Sequence, residues 1–208
     1  MYGVDHLQVF PISIFRTQIY NNNKIKKYLQ QDILDSVDDL SIPKDWSTDR
    51  ILTSFGTDSE IIDRNKTLLE TEYRNCILDI FDREVDFNFL DMWYNVYQDG
   101  EYQEEHDHLG NPFYHSHFSF IHFLSFDNTI HRPPEFKDPL AQIRNLCFEL
   151  ESTGCKELYI PKISEGDVLM FPSYLLHCVR PSKPSNYPRI TISFNISVTR
   201  YGEDIRDN

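Results

Sequence analysis

Residues 166–197 read GDVLMFPSYLLHCVRPSKPSNYPRITISFNIS, and the alternation at the end of that stretch decides the fold. From Ile190 to Val198 every second residue is apolar: Ile190, Ile192, Phe194, Ile196 and Val198. Between them stand Thr191, Ser193, Asn195 and Ser197. That period of two puts the apolar set on one face of a strand and the hydroxyl and amide set on the other. Arg189 shares the parity of the polar face and opens it. His177 follows a strand-like apolar run, DVLMFP, and precedes Arg189 by twelve residues across a Pro-rich connection. A single His and an Arg aimed at one polar sheet face suggest a site for a metal and an anion. Such a site needs further ligands from elsewhere in the chain.

The chain supplies candidates. Six of its eight histidines fall between His106 and His131. The tightest group is His106-Asp107-His108, just past the Asp99-Gly100 turn. In extended backbone, residues i and i+2 project to the same side, so His106 and His108 can grip one ion while Asp107 faces away. With His177 from another strand this is the sequence form of a facial triad, in which three protein ligands leave three positions open on non-haem Fe(II). One His-x-His is weak by itself, and His115-Ser116-His117 shows how easily the pattern arises. His115, His117 and His122 read as core or supporting residues, with His122 also within conceivable reach of the site. Asn95 and Tyr97 share a strand face leading to the site, and Asp138-Pro139 lies in an irregular loop beside a prospective substrate entrance.

The remaining patterns supply the scaffold. Residues 7–19 suggest one or two short strands broken at Pro11. Helical spacing recurs over 24–40 (Ile25, Tyr28, Leu29, Ile33, Val37, Leu40). It returns over 59–81 (Ile62, Leu68, Leu69, Tyr73, Cys76, Ile77, Ile80, Phe81), with Asp58 as the expected cap. Residues 49–56 read as extended. From Phe87 the pattern turns to strands: 87–98, 116–126, 158–163, 166–172 and the Arg189 strand. Residues 127–160 read as irregular. The expectation is one domain over 1–208, mainly β with flanking helices (α+β). Helical support occupies about 24–81 and a sandwich or small barrel about 87–200.

Composition narrows the function. An aromatic fraction of 14% and a hydrophobic fraction of 40% suit a packed β-rich protein of 208 residues rather than a disordered one. A net charge of −13 argues against general nucleic-acid binding, which requires phosphate-neutralising Lys and Arg. No apolar run approaches the length of a bilayer span, so a soluble, cytoplasmic protein without a membrane role is expected. Cys76, Cys147, Cys155 and Cys178 form no CxxC pair and are expected to be reduced thiols. Nothing in the sequence sets an oligomeric state.

The segments WYNVY (93–97), QEEHDH (103–108), FKDP (136–139), EGDVLMFPSYLLHCVRPS (165–182) and PRITISFN (188–195) together resemble the 2-oxoglutarate and Fe(II)-dependent oxygenases. The similarity is to their prolyl-hydroxylase-like branch, common in bacteria and in phages of marine cyanobacteria, and VFPISIF (9–15) looks like that branch's first strand. The resemblance implies a double-stranded β-helix, a jelly-roll barrel with iron inside one end. It assigns metal ligands to His106 and His177 and the carboxylate clamp of 2-oxoglutarate to Arg189, assisted by Thr191. Asn95 and Tyr97 then become candidate cosubstrate contacts. It also implies Fe(II) and 2-oxoglutarate, dioxygen as cosubstrate, a hydroxylated C–H bond, a peptidyl (prolyl-like) residue as first-choice substrate, and a host-cytoplasmic setting if the chain is phage-encoded.

One departure stands out. Most of the wider superfamily has His-x-Asp, and this chain has His-Asp-His. Either His108 takes the carboxylate's place, giving three imidazoles, or the backbone shifts so that Asp107 coordinates. Side-chain parity favours His108. Two other functions fit a metal-binding barrel: a cupin-like protein with a different oxidation chemistry, and a non-catalytic binding module on the same fold. A cupin of that sort has no need of Arg189.

Overall fold

In this computed structural model the described residues are 12–40, 42–43, 46, 51–81, 84–110, 115–141 and 157–201. The expected strand start over 7–11, together with Cys147 and Cys155, lies outside them.

The polar-apolar alternation of residues 190–198 places that segment at the centre of the larger sheet. The last strand, β10 (Arg189–Tyr201), pairs antiparallel with β3 (Val85–Tyr97) on one side and β5 (Phe118–Ser125) on the other. Outward from these run β8 (Asp167–Pro172) and β1 (Phe15–Gln18) at one edge and β2 (Leu52–Thr53) at the other, giving the order β1-β8-β5-β10-β3-β2. A second sheet has the order β4-β9-β6-β7, from β4 (Gln103–His106), β9 (His177–Val179), β6 (Pro134–Lys137) and β7 (Leu158–Tyr159). Among the described residues no strand pairing joins the two ladders, so the barrel is open at its seams. The architecture is nevertheless that of a double-stranded β-helix with helices on one face.

Each face of β10 has its own environment. Ile190, Ile192, Phe194 and Ile196 are fully buried and pack with the helices α1 (Asn22–Asp35) and α2 (Glu60–Ile80). The helices present Ile25, Leu29 and Ile33, and Ile62, Leu69, Tyr73, Cys76 and Ile77, at the spacing of one helical stripe. Phe194 is the hub, stacked on Phe120 at 4.4 Å and on Tyr73 at 4.3 Å between ring centroids. Burial of such a ring contributes about 1.5–3 kcal/mol. A second core, with Ile121, Phe123, Leu169, Phe171 and Phe136, lies between the two sheets. The cysteines Cys76 and Cys178 are free and buried. No described helix is long and apolar enough to cross a membrane.

Several local expectations are corrected. Helix α1 begins at Asn22, two residues early, and yields to a 3₁₀ turn at Val37–Asp39. Helix α2 is capped by Ser59 rather than Asp58: the Ser59 hydroxyl accepts from the Ile62 N–H at 3.3 Å. Strand β7 falls at the start of the strand expected over 158–163, but the stretch read as irregular contains β6. Pro134 is tolerated there because it is the first residue of its strand, where a missing donor costs least. His122 does not join His106, His108 and His177. It belongs to the helix-facing side of β5, where its Nδ1 accepts from the Tyr73 hydroxyl at 3.0 Å and its Nε2–H donates to Asn22 Oδ1 at 2.8 Å. Burial holds its imidazole down to about 3, hence neutral. Asn22 is in turn pressed against Gly166, whose φ of 85° and 3.1 Å clearance to the Asn22 Cβ leave no room for a side chain. His115 and His117 are exposed rather than core. His117 Nδ1 accepts from the Val198 N–H at 2.9 Å, which ties down the loop before β5.

Candidate metal centre and anion pocket

Strands β4 and β9 pair antiparallel, with His106 directly across from His177. Two residues further on, the His108 N–H donates to the Ser173 carbonyl at 2.9 Å, which carries the chain on toward β8 and swings the second imidazole in. The ligand nitrogens of His106, His108 and His177 lie within 4.8 Å of one another. Ring centroids are separated by 4.3 Å (His106–His177), 5.2 Å (His108–His177) and 5.4 Å (His106–His108). Asp107 points away: it is exposed, and its Oδ1 accepts from the Leu109 N–H at 3.0 Å in a local turn.

The hydrogen bonds behind the rings fix which nitrogen faces the centre. His106 Nδ1 is 2.8 Å from the Glu104 carbonyl, and His177 Nδ1 is 3.0 Å from the Leu175 carbonyl. A carbonyl oxygen can only accept, so both rings carry their proton on Nδ1, which leaves Nε2 unprotonated in the neutral ring. His108 Nδ1 lies 2.9 Å from Asn195 Oδ1 and adopts the same tautomer. This is the outer-shell pattern that orients imidazole ligands on a metal. Burial holds His108 down to about 4, with its neighbour His106 adding to the effect, and pushes His177 well below the ordinary value for the same reasons. Neutral imidazoles are the protonation state that ligation requires. Phe171 and Phe136 wall His177 at 4.9 and 5.6 Å, and Trp93 stands 5.7 Å from His108.

The polar face of β10 completes the pocket. Arg189, Thr191 and Ser193 line it together with Asn95 and Tyr97 of β3, across from which they sit in register (Arg189↔Tyr97, Thr191↔Asn95). Arg189 is 1% exposed. Its guanidinium lies over the rings of Tyr97, Phe123 and Phe126 at 4.5, 5.5 and 5.9 Å. One Nη donates to the Arg132 carbonyl at 3.1 Å, while Nε has no partner. No ion pair among the described residues offsets its charge. A buried cation with an unused donor, aimed into a pocket shared with three imidazoles, fits an anionic ligand that would bind beside a metal. Asn95 is held by the Thr53 hydroxyl, which donates to its Oδ1 at 2.6 Å, and the Tyr97 hydroxyl donates to Gln103 Oε1 at 2.9 Å.

All eight sequence-derived positions are thus accounted for. His106, His108, His177, Arg189, Thr191, Asn95 and Tyr97 line one pocket, and Asp107 does not. Sequence reading missed Trp93 and Gln103 as lining residues. Trp93 shares the parity of Asn95 and Tyr97 and could have been found by it; Gln103 sits in a polar, acidic run with no alternation. Asp138 holds a local turn, its Oδ1 accepting from the Leu140 N–H at 2.9 Å.

Residues 91–195, half of the chain and the part that carries the three histidines and Arg189, match the family model described as "Putative 2OG-Fe(II) oxygenase". The chain belongs to that family. Oxygenases of the family use Fe(II), 2-oxoglutarate and dioxygen, and an imidazole donor set beside a buried guanidinium with an unused Nε donor suits both the metal and the cosubstrate. A search of curated proteins gave no match. Solved structures share the fold. One is a prolyl-4-hydroxylase from Pseudomonas putida, 12% identical, with a TM-score of 0.55 over 89% of this chain and 92% of that one. Another is the viral collagen prolyl hydroxylase of Paramecium Bursaria Chlorella virus-1 in its 2OG complex, 16% identical, with a TM-score of 0.52 over 88% and 94%. A third is HygX from Streptomyces hygroscopicus with nickel and 2-oxoglutarate bound, 14% identical, with a TM-score of 0.55 over 89% and 82%. At these identities the likeness is one of fold.

Proposed function

We propose that this oxygenase holds Fe(II) on His106, His108 and His177 and binds the distal carboxylate of 2-oxoglutarate on Arg189. In this reading it hydroxylates a C–H bond of a peptidyl, prolyl-like substrate. The observation that carries the reading is the pairing of three convergent imidazoles, with His108 and His177 held neutral by burial, with a fully buried guanidinium that has no acidic partner among the described residues. The net reaction converts substrate C–H, dioxygen and 2-oxoglutarate into C–OH, succinate and carbon dioxide. Dioxygen is the oxidant: bound iron would be the centre at which it is activated, 2-oxoglutarate would supply two of the four electrons through its decarboxylation, and the substrate C–H bond the other two.

The protein's own residues do four things. The three Nδ1–H bonds hold the imidazoles in the ligating tautomer before metal arrives, so little reorganisation is needed. Arg189 offers a planar fork to a carboxylate, and Thr191, on the same face of β10, offers a hydroxyl beside it. Tyr97 and Phe123 keep the guanidinium flat and dry, which strengthens its attraction for an anion. Asn95, Tyr97 and Trp93 form the wall of β3 against which cosubstrate would lie. With three neutral ligands the metal keeps more positive charge than with two His and a carboxylate, and the dianionic cosubstrate would bring the assembly to neutrality.

The peptidyl substrate rests on the prolyl-hydroxylase-like architecture. The test is succinate formation from 2-oxoglutarate with Fe(II), with and without proline-containing peptides. Peptide-stimulated succinate release and a +16 Da product support the reading. Turnover that persists in His177→Ala contradicts the metal assignment, and turnover that no peptide stimulates contradicts the substrate class.

A further inference from the structure

Behind His108 lies a chain of buried polar groups that the metal site itself does not use. Asn195, on the polar face of β10 and 4% exposed, pairs directly across from Ser119 of β5. Asn195 Oδ1 accepts from the Ser119 hydroxyl at 2.7 Å and receives His108 Nδ1 at 2.9 Å. The Ser119 hydroxyl is 2.9 Å from that of Ser173, which is 2.6 Å from that of Ser116. All three serines are buried. Ser173 also holds the ring's backbone, since its carbonyl accepts the His108 N–H.

The direction of this chain follows from donor counting. Ser119 spends its single proton on Asn195, so Ser173 must donate to Ser119 and Ser116 to Ser173. Every hydroxyl in the row points toward one amide oxygen. The opposite amide orientation would hand a proton to His108 Nδ1, force the ring's own proton onto Nε2, and aim that proton at the lone pairs of His106 and His177. The register between β10 and β3 shifts between Phe194 and Ile196, at Asn195 itself, and irregularities of this kind re-aim side chains.

We propose, on the strength of the metal assignment above, that Asn195 is the positioning residue that makes His108 a metal ligand in place of a carboxylate, and that Ser119, Ser173 and Ser116 lock its amide so that His108 keeps its lone pair on Nε2. The amide is neutral, so His108 remains a weakly basic ligand. A carboxylate at position 195, which can only accept, would enforce the same tautomer and return one shell out the negative charge missing from the ligand set.

The test is titration of the metal-free protein with Co(II) alone, followed by its visible absorption, in wild type, Asn195→Ala and Asn195→Asp. Losing an outer-shell partner of a ligating imidazole typically costs about 10–100-fold in metal affinity. Asn195→Ala is therefore expected to weaken Co(II) binding by that factor and to alter the ligand-field spectrum, while Asn195→Asp binds more tightly than wild type. Wild-type affinity and spectrum in Asn195→Ala would overturn the proposal. So would Asn195→Asp binding no better than wild type, a comparison that stands even if Asn195→Ala fails to fold. Wild-type protein that takes up no Co(II) would instead refute the metal assignment on which the proposal rests.

Discussion

Arg189→Met should stabilise the metal-free protein while removing its hold on 2-oxoglutarate. The side chain is 1% exposed, its Nε is unpartnered, and burial lowers its pKa. Removing a charge from water costs several kcal/mol even after relaxation, and no counter-ion among the described residues offsets it. What Met would forfeit is smaller. The hydrogen bond to the Arg132 carbonyl contributes about 1 kcal/mol net. The contacts with three aromatic rings contribute about 1–2 kcal/mol together. Met fills most of the volume and packs well against Tyr97 and Phe123. The balance favours the variant by roughly 1–3 kcal/mol, in line with other exchanges of buried charge for apolar side chains. For the cosubstrate the sign reverses. Two charge-assisted hydrogen bonds at about 1.5–3 kcal/mol each amount to about 3–6 kcal/mol, or roughly a 10²–10⁴-fold loss in affinity. Urea denaturation of the metal-free protein gives the first quantity, and anaerobic calorimetric titration of 2-oxoglutarate into the Mn(II)-loaded protein gives the second. A variant destabilised by more than 2 kcal/mol, or one that retains 2-oxoglutarate affinity, would refute the reasoning that this cation is kept for an anion rather than for the fold.

His108→Ala should weaken Co(II) binding by more than about a hundredfold, beyond the effect of an outer-shell loss. Asp107→Asn should leave it within about twofold, and equal losses in the two variants would put the backbone shift and Asp107 ligation back in play. Acid should destabilise the metal-free protein below about pH 6.5. His108, His122 and His177 all have lowered folded-state pKa values, so their stabilising effect is full above the unfolded value and fades as pH falls toward about 4 for His108 and about 3 for His122. Each contributes up to about 1.4 kcal/mol per pH unit, and urea midpoints that stay flat between pH 6.5 and 5 would contradict this. Phe194→Ala should cost about 3–5 kcal/mol by emptying the stack between Phe120 and Tyr73, measurable as a lower urea midpoint at unchanged slope.

The strand that carries Arg189 was legible because both of its faces are buried in different chemistry. A period of two is unmistakable when apolar residues meet helices and hydroxyls meet a pocket. Helices α1 and α2 were legible for the same reason, through a one-sided stripe. The strand β6 was not, being short and partly exposed, so that its pairing with β7 and β9 rather than its own sequence defines it. His122 resisted reading because a lone histidine in an apolar strand carries no mark of which side its partners occupy. Tyr73 and Asn22 decided that, and both are more than forty residues away. The triad was legible as spacing, but the choice between Asp107 and His108 depends on the Leu109 turn and the Asn195 amide. The serine row behind them leaves no trace in the local sequence, since Ser116, Ser119 and Ser173 meet only across strands.

The central claim is that three histidines and Arg189 build one iron and 2-oxoglutarate site. Anaerobic addition of Fe(II) and then 2-oxoglutarate to the wild-type protein measures it directly, through the weak visible charge-transfer absorption of 2-oxoglutarate chelated to ferrous iron. The account predicts that the band develops at one equivalent of each, disappears in His177→Ala, and in Arg189→Met requires roughly 10²–10⁴-fold more 2-oxoglutarate. Absence of the band in the wild-type protein, or its persistence in His177→Ala, would contradict it.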